Sequence, residues 1–192
     1  MWFFTNLFFV IIILREKIYV LKGENMANSI MCAQTAVHHQ HRLLMKDIND
    51  HGTVFGGRIL AMVDLEGSLP AVRLFRSKVL TASIDHLNFI APFTIDDAML
   101  LTAYVTGVGR RSAEVFIKII GEHILTGERF VGFTCFATYV TDDPQATAPY
   151  DEVVPATDEE KAMVAGYQER RQARRTARQD NKRLLSAVEL DD

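Results

Sequence analysis

The chain has 192 residues, 48% of them hydrophobic, and a formal net charge of -3 at pH 7. That length holds one ordinary domain with extensions or two small ones, and the apolar share suffices for a sizeable core. The charge exerts no overall pull toward nucleic acid or an anionic membrane. The two cysteines, Cys32 and Cys135, stand in no metal-ligand spacing; they exclude a disulfide framework and suit a reducing cytosol.

Residues 1–25 form an apolar leader, with Trp2 to Leu14 almost wholly hydrophobic before Arg15, Glu16 and Lys17. The run is short for a membrane-spanning helix, which needs about 20 apolar residues. No basic residue precedes it and no small-residue cleavage site follows, as a signal peptide would require. Codons for Lys22, Gly23 and Glu24 can spell a purine-rich ribosome-binding sequence ahead of Met26, so Met26 is the expected native start of a bacterial gene. A genuine membrane anchor is the alternative. Three regions follow: a domain over 26–143, a proline-containing linker or strap over 144–156, and a charged helical extension over 157–192. There is no internal repeat.

His41 to Ile48 reads as a short strand leading into the loop Asn49-Asp50-His51-Gly52. From Gly56 onward, Ile59, Leu60, Val63, Gly67 and Leu69 recur at helical spacing. One helix is expected to about Phe75, kinked where Pro70 removes the hydrogen bond to the Glu66 carbonyl, with Gly67 permitting close packing on a sheet. Four β-type runs come next: Leu80–Phe89, Met99–Val108, Ala113–His123 and Arg129–Val140. Val115, Ile117 and Ile119 share one face of the third, and Glu114, Lys118 and Glu122 mostly share the other. Residues Ile124 to Glu128, with Thr126-Gly127, make a hairpin turn. The order predicts an α+β fold, a five-stranded antiparallel sheet around one long helix. One helix cannot cover both faces and the edge, so oligomerisation is expected on burial grounds. Cys135, in an apolar strand, is expected in the core.

The chemistry concentrates between Asn49 and Asp64. Gly56 and Gly57 at a loop-to-helix junction let a ligand approach the backbone. The first N–H groups of that helix lack internal partners and lie at its positive end, where they can stabilise an oxyanion. Asp64 is a carboxylate in an apolar stretch, costly unless paired or functional. Glu66 lies about 200° further round the helix, so the two are not an acid pair. On the residues alone, a solvated aspartate remains the plainer reading.

The segment resembles the N-x-x-G-x-x-F-G-G-x-x-L-x-x-x-D signature of hotdog-fold acyl-CoA thioesterases, above all the YciA-like group and its relatives among cytosolic long-chain acyl-CoA hydrolases. The resemblance continues through Leu80-Thr81-Ala82-Ser83-Ile84-Asp85-His86-Leu87-Asn88-Phe89 and Ala91-Pro92, then Gly109-Arg110-Arg111-Ser112, covering roughly 40–143. It implies a single hotdog domain that hydrolyses fatty acyl-CoA to acid and CoA in the cytoplasm. It also implies a homodimer with the active site at the interface, assembled as a trimer of dimers, that uses no metal or further cofactor. In that family Asp64 matches the catalytic carboxylate, general base or nucleophile, and Gly57, with Gly56, the carbonyl-oxygen site. Asn49, the asparagine of that signature, and Thr53 in the same loop are the candidates to position substrate or water, with a structural cap the equal alternative for each; Ser83 matches a strand position near the partner's site. Arg110, Arg111 and Ser112 match the turn that meets the CoA phosphates. Two departures stand out: Arg111 replaces the usual Thr, and Pro70 interrupts an Ala-rich helix.

His38-His39-Gln40-His41 has no carboxylate or cysteine at metal-ligand spacing, and no metal is expected. His51 and His86 read as ordinary hydrogen-bonded residues. Thr157-Asp158-Glu159-Glu160 is a capping box opening a helix to about Leu185, in which Met163, Val164 and Tyr167 can dock on the core. The basic run beyond them reads as a solvated helix packing on neighbouring subunits; it lacks the pattern of a nucleic-acid reader. The competing function is a non-catalytic hotdog that senses acyl-CoA; a hydratase lacks its Asp/His pair here.

Overall fold

A computed structural model of the chain describes residues 9–14, 17–22 and 28–189. The expected start at Met26 lies outside them, as does much of the 1–25 leader. Within the leader, β1 (Phe9–Leu14) and β2 (Lys17–Lys22) pair as an antiparallel hairpin of their own. Among the described residues no helix is long and apolar enough to cross a membrane.

The domain is a five-stranded antiparallel sheet in the order β4-β6-β7-β8-β5. These strands are β4 (Val37–Arg42), β5 (Val79–Phe89), β6 (Asp97–Val108), β7 (Ser112–His123) and β8 (Arg129–Thr141). The last four follow the β-type runs of the sequence within one or two residues. β4 differs: the strand ends at Arg42, so it takes in only His41 and Arg42 of the expected His41–Ile48 run, and the rest folds into a loop and a 3-10 turn over Met45–Asp47. Leu43 is buried there without being in a strand.

Helix α2 (Gly56–Gly67) ends at Ser68, and α3 (Leu69–Phe75) starts afresh with Pro70 in its first turn. The expected kink is thus a break, which puts the missing proline N–H where a helix start needs none. The pair covers one face of the sheet. Ile59, Met62, Val63, Ala71 and Leu74 pack on Val115, Ile117, Ile119, Cys135 and Tyr139, all buried. Gly67 sets the approach: a methyl there would stand 2.5 Å from Ile117 Cδ1.

The opposite face is not left to a neighbouring subunit. The extension forms α4 (Asp158–Ala165) and α5 (Tyr167–Leu185), opened by the expected capping box at Thr157 and Glu160. These helices lie on the chain's own sheet, with Met163 and Val164 against the core and Tyr167 over Gly107. Residues 144–156 strap the domain, since β9 (Glu152–Val154) pairs in parallel with β3 (Ser29–Met31), which the short α1 (Cys32–Thr35) follows. Glu114, on the polar face of β7, is therefore buried rather than solvated.

Candidate active site

The loop before α2 is built around two side chains. Asn49 Oδ1 accepts the His51 N–H at 2.9 Å and the Thr53 N–H at 3.1 Å, and Asn49 Nδ2 donates to Thr53 Oγ1 at 3.2 Å. Gly52 completes the turn at φ 77°, a left-handed conformation that disfavours a side chain. Asn49 and Thr53 thus shape the loop with their own side chains. Beneath it the buried Asp47 accepts from His41 Nε2 and the Leu44 N–H, both at 3.0 Å, and lies 3.2 Å from Arg58 Nε. Its main-chain carbonyl accepts the Phe55 N–H at 3.0 Å. Burial raises the Asp47 carboxyl pKa, but His41, the Leu44 N–H and Arg58 together hold it below the ordinary value. This network joins β4, the loop and the first turn of α2. The sequence offered for it no more than an aspartate two residues before Asn49.

In α2 the Phe55 carbonyl accepts from Arg58 and Ile59, so the N–H groups of Gly56 and Gly57 have no backbone acceptor among the described residues. An apolar cavity of about 390 Å³ opens beside them, lined by Thr53, Gly56, Ile59, Phe89, Ile90 and Phe93 among others. Asp64 lies elsewhere, exposed on the outer side of α2 beside exposed Leu65. The Thr81 hydroxyl donates to its Oδ1 at 2.5 Å. Thr81, the partner of Asp64, is a residue that the residue pattern did not single out, although it sits in the same strand motif as Ser83. At 1.5 Å rise per residue, Asp64 is about 10 Å along the axis from Gly57. Two helical turns therefore separate the carboxylate's residue from the open N–H groups of the helix start within a protomer.

Ser83 is separated from that site. A bulge between Thr81 and Ser83 turns Ser83 to the face that carries Thr138, and its hydroxyl donates to Asp85 at 3.2 Å. Arg110, Arg111 and Ser112 form the tight β6–β7 turn, closed by the Gly109 N–H donating to the Ser112 carbonyl at 2.7 Å. The Arg111 guanidinium is tied to Thr141, through Oγ1 at 3.3 Å and the carbonyl at 3.0 Å, while Arg110 is exposed. The turn borders a cavity of about 420 Å³ under α5, on the face away from α2. His39 and His41 face Glu66 and Asp47 respectively. Cys32 and Cys135 are buried, and burial pushes both thiols up to about 12.

A family model described as the thioesterase superfamily matches residues 51–128. The uncharacterized acyl-CoA thioester hydrolase YkhA of Bacillus subtilis is 35% identical over 161 residues, covering 83% of this chain and 94% of its own. The chain belongs to the thioesterase superfamily, among the acyl-CoA thioester hydrolases. Its sheet and central helix are those of the hotdog fold. The acyl-CoA hydrolase of Bacillus cereus superposes with a TM-score of 0.78 at 30% identity, over 85% of this chain and 99% of that one. A hexameric acyl-CoA thioesterase in its apo form does so with 0.72 at 34% identity, over 78% and 97%. The hydrolase of Staphylococcus aureus, solved with butyryl coenzyme A and coenzyme A, shares the fold, with a TM-score of 0.76 at 23% identity over 83% and 98%.

Proposed function

We propose that this member of the family hydrolyses fatty acyl-CoA to free acid and CoA at sites completed by two protomers. The observation that carries this is the exposed Asp64 carboxylate, oriented by Thr81 and borne by a residue about 10 Å along the axis from Gly57 at its own helix start, where the N–H groups are free. A second protomer brings its Gly57 N–H to the carbonyl that Asp64 serves. β5 supports the pairing: it is an edge strand with Leu80, Leu87 and Phe89 exposed, which a lone protomer would leave open to aggregation. The proposed assembly is a homodimer, three of which associate into a hexamer, the state that gives one relative its name.

In the proposed reaction Asp64 takes a proton from water as the water oxygen attacks the thioester carbonyl. Negative charge that develops on the carbonyl oxygen is held by the N–H of Gly57, with Gly56 beside it. Collapse breaks the C–S bond, and the thiolate leaves as CoA with the proton from Asp64. Water is the sole co-reactant. If Asp64 attacks directly instead, it expels CoA thiolate and forms an anhydride that water opens at the Asp64 carbonyl. Single turnover in ¹⁸O water then gives acid with no label and leaves the label on Asp64, whereas general-base hydrolysis puts one labelled oxygen in the acid. The apolar cavity at Gly56 and Phe89 suits the acyl chain. Asn49 and Thr53 hold the loop that shapes it. Alanine variants of the Staphylococcus aureus hydrolase have been solved at an aspartate, a threonine and an asparagine. In this chain Asn49, Asp64 and Thr81 follow one another at the same intervals.

Free thiol released from a panel of acyl-CoAs tests the reading. Wild type is expected to turn over at least one chain length, and Asp64→Asn to fold normally with kcat lowered about 10²–10⁴-fold. Tight acyl-CoA binding without turnover at any length would instead establish a sensor.

A further inference from the structure

β5 and β8 put two hydroxyls side by side against α2. Thr81 and Tyr139 are cross-strand partners, and both face the helix. The Thr81 hydroxyl donates to Asp64 Oδ1 at 2.5 Å. The Tyr139 hydroxyl donates at 3.1 Å to the main-chain carbonyl of Val63, next to Asp64 in the chain. Tyr139 is fully buried, and its hydroxyl uses the space that Gly67 leaves one turn further on, where a methyl would stand 2.8 Å from it. Burial above all pushes the Tyr139 phenol up, with Cys135 and the Asp64 carboxylate adding to it, so the group remains a donor at neutral pH.

The helix needs such a tie. α2 stops at Gly67, and α3 starts afresh at Leu69, so no continuing helix fixes the turn that carries Asp64. Met62 and Val63 pack on the sheet through apolar contacts, which have no direction and let a helix roll. A carboxylate stands roughly 5 Å from the helix axis, so a roll of roughly 10° moves it by roughly 1 Å. A displacement of that size can cost about 10²-fold in rate. Thr81 alone cannot prevent it, because it lies on edge strand β5 beside a bulge. Tyr139 is held more firmly, since β8 runs between β7 and β5. The outer face there is clamped by α5, whose Arg170 Nη2 and Arg174 Nη1 lie 2.8 and 2.7 Å from the two oxygens of buried Glu114, the β7 partner of Thr138.

We infer that Tyr139 is a positioning residue for the hydrolysis: its hydroxyl fixes the roll of α2 at Val63 and so keeps the Asp64 carboxylate on Thr81, aimed at the reacting carbonyl. This rests on the reading of Asp64 as the base. Tyr139 is buried beneath the helix and acts through it, without touching substrate. Gly67 is part of the same device, because its missing side chain lets the helix come down onto the hydroxyl.

Steady-state acyl-CoA hydrolysis by Tyr139→Phe tests this, in wild-type and Thr81→Val backgrounds and well below each protein's melting temperature. Phenylalanine keeps the ring and with it the packing of the core. In the wild-type background kcat is expected to fall about tenfold with KM within about twofold, because a misaimed base weakens transition-state stabilisation and spares ground-state binding. In Thr81→Val, where Asp64 is already released, the same change should lower kcat less than about twofold. Tyr104→Phe is the control: it deletes a buried hydroxyl that donates to Glu159 at 3.1 Å on the outer face, and kcat should not move. An unchanged kcat in Tyr139→Phe would overturn the inference. So would the full tenfold loss in both backgrounds, the mark of a merely structural bond. If wild type hydrolyses nothing, or Asp64→Asn keeps full activity, the reading of Asp64 as the base falls, and a crystal structure of Tyr139→Phe decides the positioning. It is expected to show Asp64 off Thr81; a Thr81–Asp64 hydrogen bond kept at its native length would overturn the inference.

Discussion

Replacing Glu114 by Gln removes one charge and almost no volume, and tests whether a buried ion cluster holds α5 on the sheet. The Glu114 side chain is fully buried, while those of Arg170 and Arg174 are 13% and 11% exposed. Its oxygens also accept the Thr106 hydroxyl at 2.8 Å, and the Arg170 guanidinium stacks 3.7 Å above the Phe136 ring. Removing one partner of a buried pair costs about 3–5 kcal/mol, because the cations left behind stay desolvated. Here that cost has a ceiling. The arginines sit on a terminal helix, so they can return to water if α5 lifts off, and the penalty cannot exceed the free energy of docking. Urea unfolding of Glu114→Gln should therefore show a loss of up to about 3 kcal/mol, and trypsin should cleave within α5 on the order of 100-fold faster. Replacing the cluster with Glu114→Leu, Arg170→Met and Arg174→Met should recover most of the stability, since apolar packing often matches a buried ion pair. Unchanged unfolding together with unchanged proteolysis of Glu114→Gln would refute the reasoning.

Gly107→Ala should destabilise by about 1–3 kcal/mol in thermal unfolding, because the new methyl would sit 2.1 Å from Tyr167 Cδ2 and displace the ring. Asp47, held below its ordinary value in the fold, stabilises fully above the unfolded carboxyl range and loses that contribution as pH falls through its own lower value. Asp47→Asn should lower the melting temperature at pH 7 and flatten the loss of stability below about pH 4, read from melts across pH. Cys32 and Cys135, buried with thiols pushed up to about 12, should react with a thiol reagent only after unfolding. Thiol release measured on the native protein would then report CoA alone.

β6, β7 and β8 are legible because their alternation is strong and their turns carry Gly109 and Gly127. β4 is not, because its outward residues are His38, Gln40 and Arg42 and it has little apolar rhythm; the apolar Leu43–Met45 that suggests a strand belongs to the turn after it. The α2–α3 region reads correctly from Ile59 to Phe75, with the break at Ser68, two residues ahead of Pro70, because Gly67 and Ser68 weaken the helix there. Asp64 and the glycines stand out because a carboxylate in an apolar helix and paired glycines at its start are local signals. Thr81 does not, since its meaning comes from the helix it crosses. Ser83 shows the limit of strand counting: one bulge moves it to the other face. The covering of that face by α4 and α5 depends on Glu114, whose place in an alternating strand reads as solvent until the helix above it is known.

Co-expression of Asp64→Asn with Gly57→Pro, assayed by thiol release, tests the shared site most directly. The proline deletes the N–H at a first-turn position where it is tolerated, and the exposed Phe55 ring can yield to it. Each variant alone should be nearly inactive, while random dimers should recover about a quarter of wild-type activity through heterodimers with one intact site. A mixture no more active than its parents, with heterodimers shown to have formed, would place Asp64 and Gly57 in the same protomer's site and contradict the account.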